Sequence, residues 1–327
     1  MWQLLIHAKT FARVENALRP FADQISPLVL DDEGDLKQAW GESEAKALIA
    51  YGTTDAYFSP SVITFFQTMF EADALDWFQS SAAGTEHPMI QATGKKAKLF
   101  SGSHEQSEAI AEWVLWAGLD FLQNGHGRRE AQAGKTWMRL PFRELASSNW
   151  LIIGFGAIGQ ACGKRLRALG ATVTGVRRRT GDNDAADYMI QPAGIQTALP
   201  DMDAVVLCLP LTDDTENMVD REFLGRMKAD SVLINVGRGG LVDETALLSA
   251  LDQNTPARAY LDVVKEEPLP ADHPIWSHPK VTLTAHISAL TDGSKTRTDH
   301  VFLENLSNFL NHQPLRNAVS SETFAEK

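Results

Sequence analysis

Asn149-Trp-Leu-Ile-Ile-Gly154-Phe-Gly156-Ala157-Ile158-Gly159 carries the decisive pattern of the chain. The apolar run over 150–153 suits a parallel strand covered on both faces. Gly154 permits a tight turn, Gly156 lets a backbone approach a phosphate, and Gly159 allows a helix to pack closely on the strand. The helix that opens at Ala157 and Ile158 presents unsatisfied N–H groups and a partial positive charge, which suits a pyrophosphate. Glycine turns are common as purely structural features. A strand before this one, a helix after it and further βα units beyond favour a nucleotide-binding turn.

Downstream of that turn, strands are expected over 172–176, 188–190, 204–208, 232–236, 259–263 and 281–285. Helical stretches separate most of them, such as 162–169 ending at Gly170. This alternation predicts a doubly wound parallel sheet. Upstream, short strands over 3–8, 27–30, 47–51, 77–80 and 97–100 alternate with helical patches and predict a first α/β layer. Ser59-Pro60 reads as a helix start, with serine as N-cap and proline at the first helical position. Val62, Ile63, Phe66, Met69 and Phe70 would form that helix's apolar face.

Over 108–124 the sequence is apolar on nearly every side, so a helix buried all round is expected there, between domains or subunits. The polar stretch 125–148 carries Arg128, Arg129, Lys135, Arg139 and Arg143. It reads as an arm or loop, either a solvated face or a contact to a partner subunit. A last helix over 292–311 places Phe302, Leu303, Leu306, Phe309 and Leu310 on one side. Its tail is expected to return to the first domain and make that domain discontinuous.

Composition narrows the class. The 327 residues suggest about two domains, and 44% hydrophobic with 22% charged residues suits a soluble globular protein. The net charge of −12 disfavours binding to nucleic acid or to an anionic membrane. An anionic ligand must then be held by local basic groups. The two cysteines, Cys162 and Cys208, fall in an expected helix and an expected strand, and read as buried thiols in a reducing compartment. The N-terminus lacks the pattern of a signal peptide, and no apolar run reaches the roughly 18 residues of a membrane span. A cytoplasmic protein is expected. No His/Cys cluster has metal-ligand spacing, so no metal is expected.

The choice of dinucleotide rests on the end of the second strand. An acidic residue about 20 positions past the glycine turn would hold the ribose 2′-OH of NAD. Here that place is taken by Arg177-Arg178-Arg179. An acid there repels a 2′-phosphate, whereas arginine makes charge-assisted, bidentate bonds to one. NADP(H) is therefore expected over NAD(H), against the alternative of three arginines on a solvated strand end.

Three charged residues stand just past the carboxyl ends of expected strands, where open α/β sheets place ligands. Arg238 follows Ile234-Asn-Val-Gly237, Glu267 follows Leu261-Asp-Val-Val and precedes Pro268, and His286 follows Thr282-Leu-Thr-Ala. Each alone is weak, since a lone histidine or a glutamate before proline is more often a surface group. Together they supply a cation, an acid and a base on the nicotinamide half of the sheet.

With these residues in view, the chain resembles the D-isomer-specific 2-hydroxyacid dehydrogenases. The resemblance rests on Gly154-Phe-Gly-Ala-Ile-Gly159, Leu209-Pro-Leu-Thr-Asp-Asp-Thr215, Leu233-Ile-Asn-Val-Gly-Arg-Gly-Gly-Leu-Val-Asp-Glu244, Leu261-Asp-Val-Val-Lys-Glu-Glu-Pro-Leu-Pro270 and His286-Ile-Ser288. It covers about 108–288, and more loosely Phe78-Gln-Ser-Ser-Ala-Ala-Gly84. It implies an α/β protein of two doubly wound parallel-sheet domains with a cleft between them. The Rossmann coenzyme domain would span 100–288. A flavodoxin-like substrate domain would be built from 1–99 and 289–327, with hinges near 99–101 and 288–291. A homodimer is also implied.

The resemblance assigns roles as well. Arg238 would bind the substrate carboxylate and 2-oxo oxygen, His286 would transfer the proton, and Glu267 would hold the imidazole and favour its charged form. Backbone N–H groups at Ala83 and Gly84 would bind the substrate carboxylate. Leu209, Pro210, Thr215, Val236, Gly237, Asp262 and Ser288 would join the glycine turn, the arginines, Arg238 and His286 around the cofactor, with Asp262 meeting the nicotinamide amide. The substrate would be a small 2-oxo or 2-hydroxy acid such as glyoxylate or hydroxypyruvate, reduced with NADPH.

The chain departs from the commoner family pattern at Arg177. The stretches 51–55 and 100–107 match no substrate subgroup, which leaves the substrate side chain open. Trp137 lies in the arm, where a partner's aromatic reaches the pocket in some relatives; ordinary arm packing is the alternative. A dinucleotide-sensing corepressor is a different reading of the same fold, but it would usually carry extra interaction segments. A formate enzyme would be expected to have Gln at position 267.

Overall fold

The computed structural model describes residues 1–41, 47–82, 84–85, 87–181 and 183–325. It divides into two compact units, Met1–Glu105 with Asp292–Lys327, and Gln106–Thr291. Both are α/β, built on sheets in which parallel strands dominate.

The first unit runs β1 (Trp2–His7), α1 (Ala8–Leu18), β2 (Ile25–Leu30), β3 (Leu36–Gln38), β4 (Ala47–Gly52), α2 (Thr54–Tyr57), α3 (Val62–Glu71), β5 (Ala74–Ser80), α4 (Pro88–Lys96) and β6 (Leu99–Ser101). Its sheet has the order β3-β2-β1-β4-β5-β6, parallel except for β3. Without that short edge strand the order is that of a flavodoxin-like sheet. Side chains alternate across the sheet, as the two-residue period of a strand requires. Leu4, Ile6, Ile49, Tyr51 and Trp77 pack on Phe302 and Leu306 of the C-terminal helix. Leu5, Leu48, Ala50 and Phe78 pack on Phe65, Phe66 and Phe324.

The second unit runs α5 (Ser107–Leu122), α6 (Gly125–Ala133), β7 (Asn149–Ile153), α7 (Ala157–Ala168), β8 (Thr172–Val176), β9 (Tyr188–Ile190), α8 (Ile195–Ala198), β10 (Ala204–Leu207), α9 (Arg221–Arg226), β11 (Val232–Asn235), α10 (Glu244–Asp252), β12 (Arg258–Leu261) and β13 (Val281–Leu283). The C-terminal helix α11 (Asp292–Leu310) then returns the chain to the first unit. All seven strands of the second sheet are parallel, in the order β13-β12-β11-β10-β7-β8-β9. The order reverses between β7 and β10, the crevice where doubly wound folds hold dinucleotides. Trp150, Ile152, Val206 and Ile234 face the α5 and α7 side. Leu151, Ile153, Val205 and Leu233 face Phe223, Leu224, Leu247 and Leu251. Each fully buried large side chain contributes about 1.5–3 kcal/mol of transfer free energy, so both layers are firmly seated.

Several expectations need correction. The helix expected from Ser59 begins at Val62 with Ser61 at its N-cap; Ser59 instead donates its hydroxyl to Asp32 at 2.9 Å. The helix over 108–124 is not buried all round within this chain. Its Ile110, Val114 and Ala117 are buried, while Trp116 is 43% exposed. The first part of 125–148 is helical (α6), and Asp120 anchors it through a two-pronged pair with Arg129 at 2.7 and 2.9 Å. β3 was not foreseen because three largely exposed residues carry no periodicity; a turn over 31–35, with Gly34 at φ +92°, folds it back on β2. Cys208 lies past the end of β10, where the chain opens into a loop, and is partly exposed; Cys162 is buried. The units divide at Glu105/Gln106 and Thr291/Asp292 rather than at 99/100 and 288/289. The stretch 99–101, expected as a hinge, is strand β6, paired to β5 and closing the first sheet.

Candidate active site

Every strand of the second sheet points the same way, so the segments that follow them gather along one edge. Gly154 after β7 sits at φ +98°, the left-handed region that favours glycine. A Cβ there would lie 2.7 Å from the Cys208 carbonyl, so the turn and the loop after β10 are in close contact. A Cβ on Gly159 would strike the Gly154 carbonyl oxygen at 2.6 Å, whereas one on Gly156 would meet nothing within 4 Å. Gly156 caps α7 without a side-chain bond, and Ala157 and Ile158 form its first turn. An open approach to free helix N–H groups is what a pyrophosphate needs.

At the end of β8, Arg177 is half-buried, its backbone N–H bonds Ile190 O at 3.2 Å, and its buried Nε has no hydrogen-bond partner among the described residues. Arg178 and Arg179 are exposed. Among the described residues no carboxylate forms a salt bridge with any of the three. The loop after β10 carries Leu209 and Pro210, and Thr215 closes it: its hydroxyl accepts from Thr212 N at 2.8 Å and donates to Pro210 O at 2.9 Å.

Past β11, Val236 and Gly237 are buried and Arg238 is half-buried, its Nη1 donating to Gly237 O at 2.8 Å. Asn235, fully buried, builds this corner, accepting from Gly237 N and donating to Arg238 O, both at 3.0 Å. After β12, Glu267 folds back to accept from Val264 N at 3.1 Å through Oε1. After β13, His286 takes φ +53°, and its Nδ1 meets Glu267 Oε2 at 2.8 Å. An ionised carboxylate only accepts, so Nδ1 carries the proton of this bond and Nε2 is the ring nitrogen left outside it.

The family model for the NAD-binding domain of D-isomer specific 2-hydroxyacid dehydrogenases matches residues 115–288. The chain belongs to the D-isomer-specific 2-hydroxyacid dehydrogenase family. A glyoxylate/hydroxypyruvate reductase B of Serratia proteamaculans is 34% identical over 172 residues, which span 52% of this chain and 53% of that protein. A crystal structure of a family protein from Aeromonas salmonicida superposes with a TM-score of 0.76 at 26% identity, over 98% of this chain and 99% of that one. The apo form of an NADPH-dependent glyoxylate/hydroxypyruvate reductase from Sinorhizobium meliloti matches at 29% identity and a TM-score of 0.54, over 57% of this chain and 95% of that one.

In this dehydrogenase the electrostatics of the pair follow from the same contacts. The hydrogen bond to Glu267 raises the His286 pKa above its ordinary value; partial burial opposes this, the charges of Glu267 and Asp262 reinforce it, and Arg238 acts against it. Partial burial pushes the Glu267 carboxyl up, but the bond and charge of His286 and the Val264 N–H outweigh it and leave it below its ordinary value.

Other expected residues stand as follows. The Asp262 carboxylate is 1% exposed and filled by donors from the His286 loop, among them Ser288 N at 3.0 Å. Gly84 lies half-buried in the first unit, and Ala83 lies outside the described residues. Trp137 is 95% exposed in the irregular segment after α6. Among the described residues no group of three His, Cys, Asp or Glu side chains is placed to hold a metal, and no helix is long and apolar enough to cross a membrane. Sequence reasoning missed Asn235 and Thr284. An amide ending the otherwise apolar strand Val232–Asn235 was the available signal for the first; a threonine two residues before a histidine carries none.

Proposed function

We propose that this dehydrogenase reduces small 2-oxo acids to D-2-hydroxy acids with NADPH. The observation that carries the reading is the 2.8 Å bond between His286 Nδ1 and Glu267, on loops neighbouring Arg238 in the same row of strand ends. When bound, NADPH supplies the hydride that reduces the carbonyl carbon. The Arg238 guanidinium holds the substrate carboxylate and the 2-oxo oxygen in a planar fork and offsets negative charge growing on that oxygen. His286 Nε2 gives its proton to the same oxygen, and Glu267 stays ionised to steady the imidazolium before transfer. In the reverse direction His286 takes that proton back.

Gly154, Gly156, Gly159 and the N–H groups of Ala157 and Ile158 cradle the pyrophosphate, with Leu209, Pro210, Thr215, Val236 and Gly237 around the remainder. Arg177, whose buried Nε has no hydrogen-bond partner among the described residues, takes the 2′-phosphate together with Arg178 and Arg179. The Sinorhizobium meliloti reductase is named as NADPH-dependent, which supports the same choice. The protein is a homodimer in this reading, supported by the exposed faces of Trp116, Trp137 and Phe142.

A panel of 2-oxo acids, including glyoxylate and hydroxypyruvate, assayed with NADPH and with NADH tests the proposal. Turnover is expected with the lower KM for NADPH. No turnover on any member overturns the activity, and equal or better use of NADH overturns the cofactor choice. Light scattering checks the dimer.

A further inference from the structure

Glu267 reaches His286 from a stretch that packing does not hold. Burial along the chain after β12 ends at Val264, and residues 265–268 are exposed. Fixing a glutamate side chain in one rotamer costs up to about 2 kcal/mol of entropy, so its mount here must be made of bonds. Two successive backbone donors supply it. Val264 N bonds Glu267 Oε1 at 3.1 Å, which closes the turn on itself. Lys265 N instead bonds Glu244 Oε1 at 2.7 Å, the shorter of the two. Glu244 belongs to another element, the first turn of α10, where a carboxylate also suits the positive end of the helix.

That seat is firm. Asp243 caps α10 by accepting from Ala246 N at 3.0 Å, and Ala246, Leu247 and Leu251 are buried. The Glu244 side chain is only 13% exposed, and its second oxygen, Oε2, faces His273 Nε2 at 3.6 Å. His273 Nδ1 accepts from Ile275 N at 3.4 Å, and Ile275 is itself part of the core. One carboxylate thus meets the loop on both sides of Glu267, at Lys265 before it and at His273 after it. We infer that Glu244 is a positioning residue for Glu267, pinning the turn from which that carboxylate reaches His286. The charged groups acting on the imidazole are Glu267, Asp262 and Arg238, so Glu244 acts on it through the backbone of the turn and not by its own charge.

The inference rests on the His286–Glu267 pair being the proton-transfer machinery proposed above, and the variants separate the two ideas. Glu244→Asp keeps the charge but draws the oxygen back by one methylene. Glu244→Gln keeps the reach and loses the charge, and Glu244→Ala loses both. With full-length protein, NADPH and the best 2-oxo acid of the panel, Glu244→Ala and Glu244→Asp are each expected to lower kcat about tenfold, less than the roughly hundredfold cost of a misplacement of about 1 Å. In both, the basic limb of the kcat–pH profile moves to lower pH, because a displaced Glu267 favours the charged imidazole less. Glu244→Gln retains a neutral bond about half as strong, keeps kcat within about threefold and leaves the limb in place. The KM for NADPH changes less than about threefold in all three. In a Glu267→Gln background, Glu244→Asp has no further effect on kcat, since residues acting through one contact are not additive. If Glu244→Ala fails to fold, as read by circular dichroism, the Asp and Gln variants decide the matter. A further loss of about tenfold in the Glu267→Gln background overturns the inference. So does a fall in Glu244→Gln with Glu244→Asp unaffected, which makes the charge the active property. A lowered melting temperature with kcat and its limb unchanged overturns it in favour of a purely structural role. Unchanged kcat and limb in Glu267→Gln alone overturn the pair beneath the inference instead.

Discussion

His286 and Glu267 titrate as partners, and their pH behaviour follows from the direction of each shift. In the proposed mechanism reduction needs His286 protonated, so kcat is expected to fall as pH rises through its raised pKa, above the ordinary imidazole value of about 6.5. Glu267→Gln removes the main cause of the raise. The basic limb then moves to lower pH and kcat falls by a factor on the order of 10²; an unmoved limb in a kcat–pH titration counts against the pair. The same shifts bear on stability. The raised His286 contributes below about pH 6.5 and its contribution is lost as pH rises through its folded pKa, whereas the lowered Glu267 contributes above about pH 4.3 and its contribution is lost as pH falls through its folded pKa. Their joint effect is greatest between those values, and with Glu267 36% and His286 50% exposed it stays below about 1 kcal/mol. Arg177→Glu is expected to lower kcat/KM for NADPH about 10- to 100-fold, the scale of a lost bond to a charged group, and to leave the NADH value higher than the NADPH value. Steady-state kinetics with both cofactors reads this directly.

At the scale of elements, the site depends on how closely neighbouring strand ends approach. Gly239, one residue past Arg238, has no room for a side chain: a Cβ would lie 1.9 Å from the Val264 carbonyl carbon. Val264 begins the loop that returns Glu267 to His286, since its N–H bonds the Glu267 carboxylate. Gly239→Ala therefore pushes the Arg238 corner away from the Glu267 loop. About 1–3 kcal/mol of stability is expected to be lost, the scale of overpacking, with kcat reduced as well; urea unfolding and turnover measure the two effects. The Gly-Arg-Gly-Gly motif was legible in the sequence as a place for a cation, but the reason for its glycines was not. That reason is a contact between residues 25 positions apart in sequence.

At the scale of the whole molecule, the first unit is stitched from the two ends of the chain. Phe324, 3% exposed, packs on Phe100 at a centroid distance of 4.8 Å and lies against Gly94, where a Cβ would meet its ring at 2.4 Å. Val319 N bonds Phe100 O at 2.8 Å, so the tail also extends the edge at β6. Phe324→Ala is expected to destabilise the first unit by about 3–5 kcal/mol, as for other buried aromatics. Denaturant unfolding followed by hydrogen exchange in each unit would show the loss in α4 and β6 and leave β7 and α7 unchanged; a uniform loss across both units would contradict it.

Most of the order of strands and helices (β3 and α6 excepted), the glycine turn and the alternation of buried side chains are local patterns, and the sequence by itself determined them. Periods of two and of about three and a half residues, and the demand for a left-handed turn at Gly154, are properties of short stretches. The residues Arg238, Glu267 and His286 were also readable, because each directly follows or soon follows a strand end and a parallel sheet brings such ends to one edge. Tertiary structure alone decided what holds them. Asn235 braces the Arg238 corner, Asp262 and Thr284 mount the His286 loop, and Phe324 closes a core that begins at the other end of the chain. Each acts through bonds or packing to partners distant in sequence or on another strand, and no local pattern records such a partner until the chain has folded.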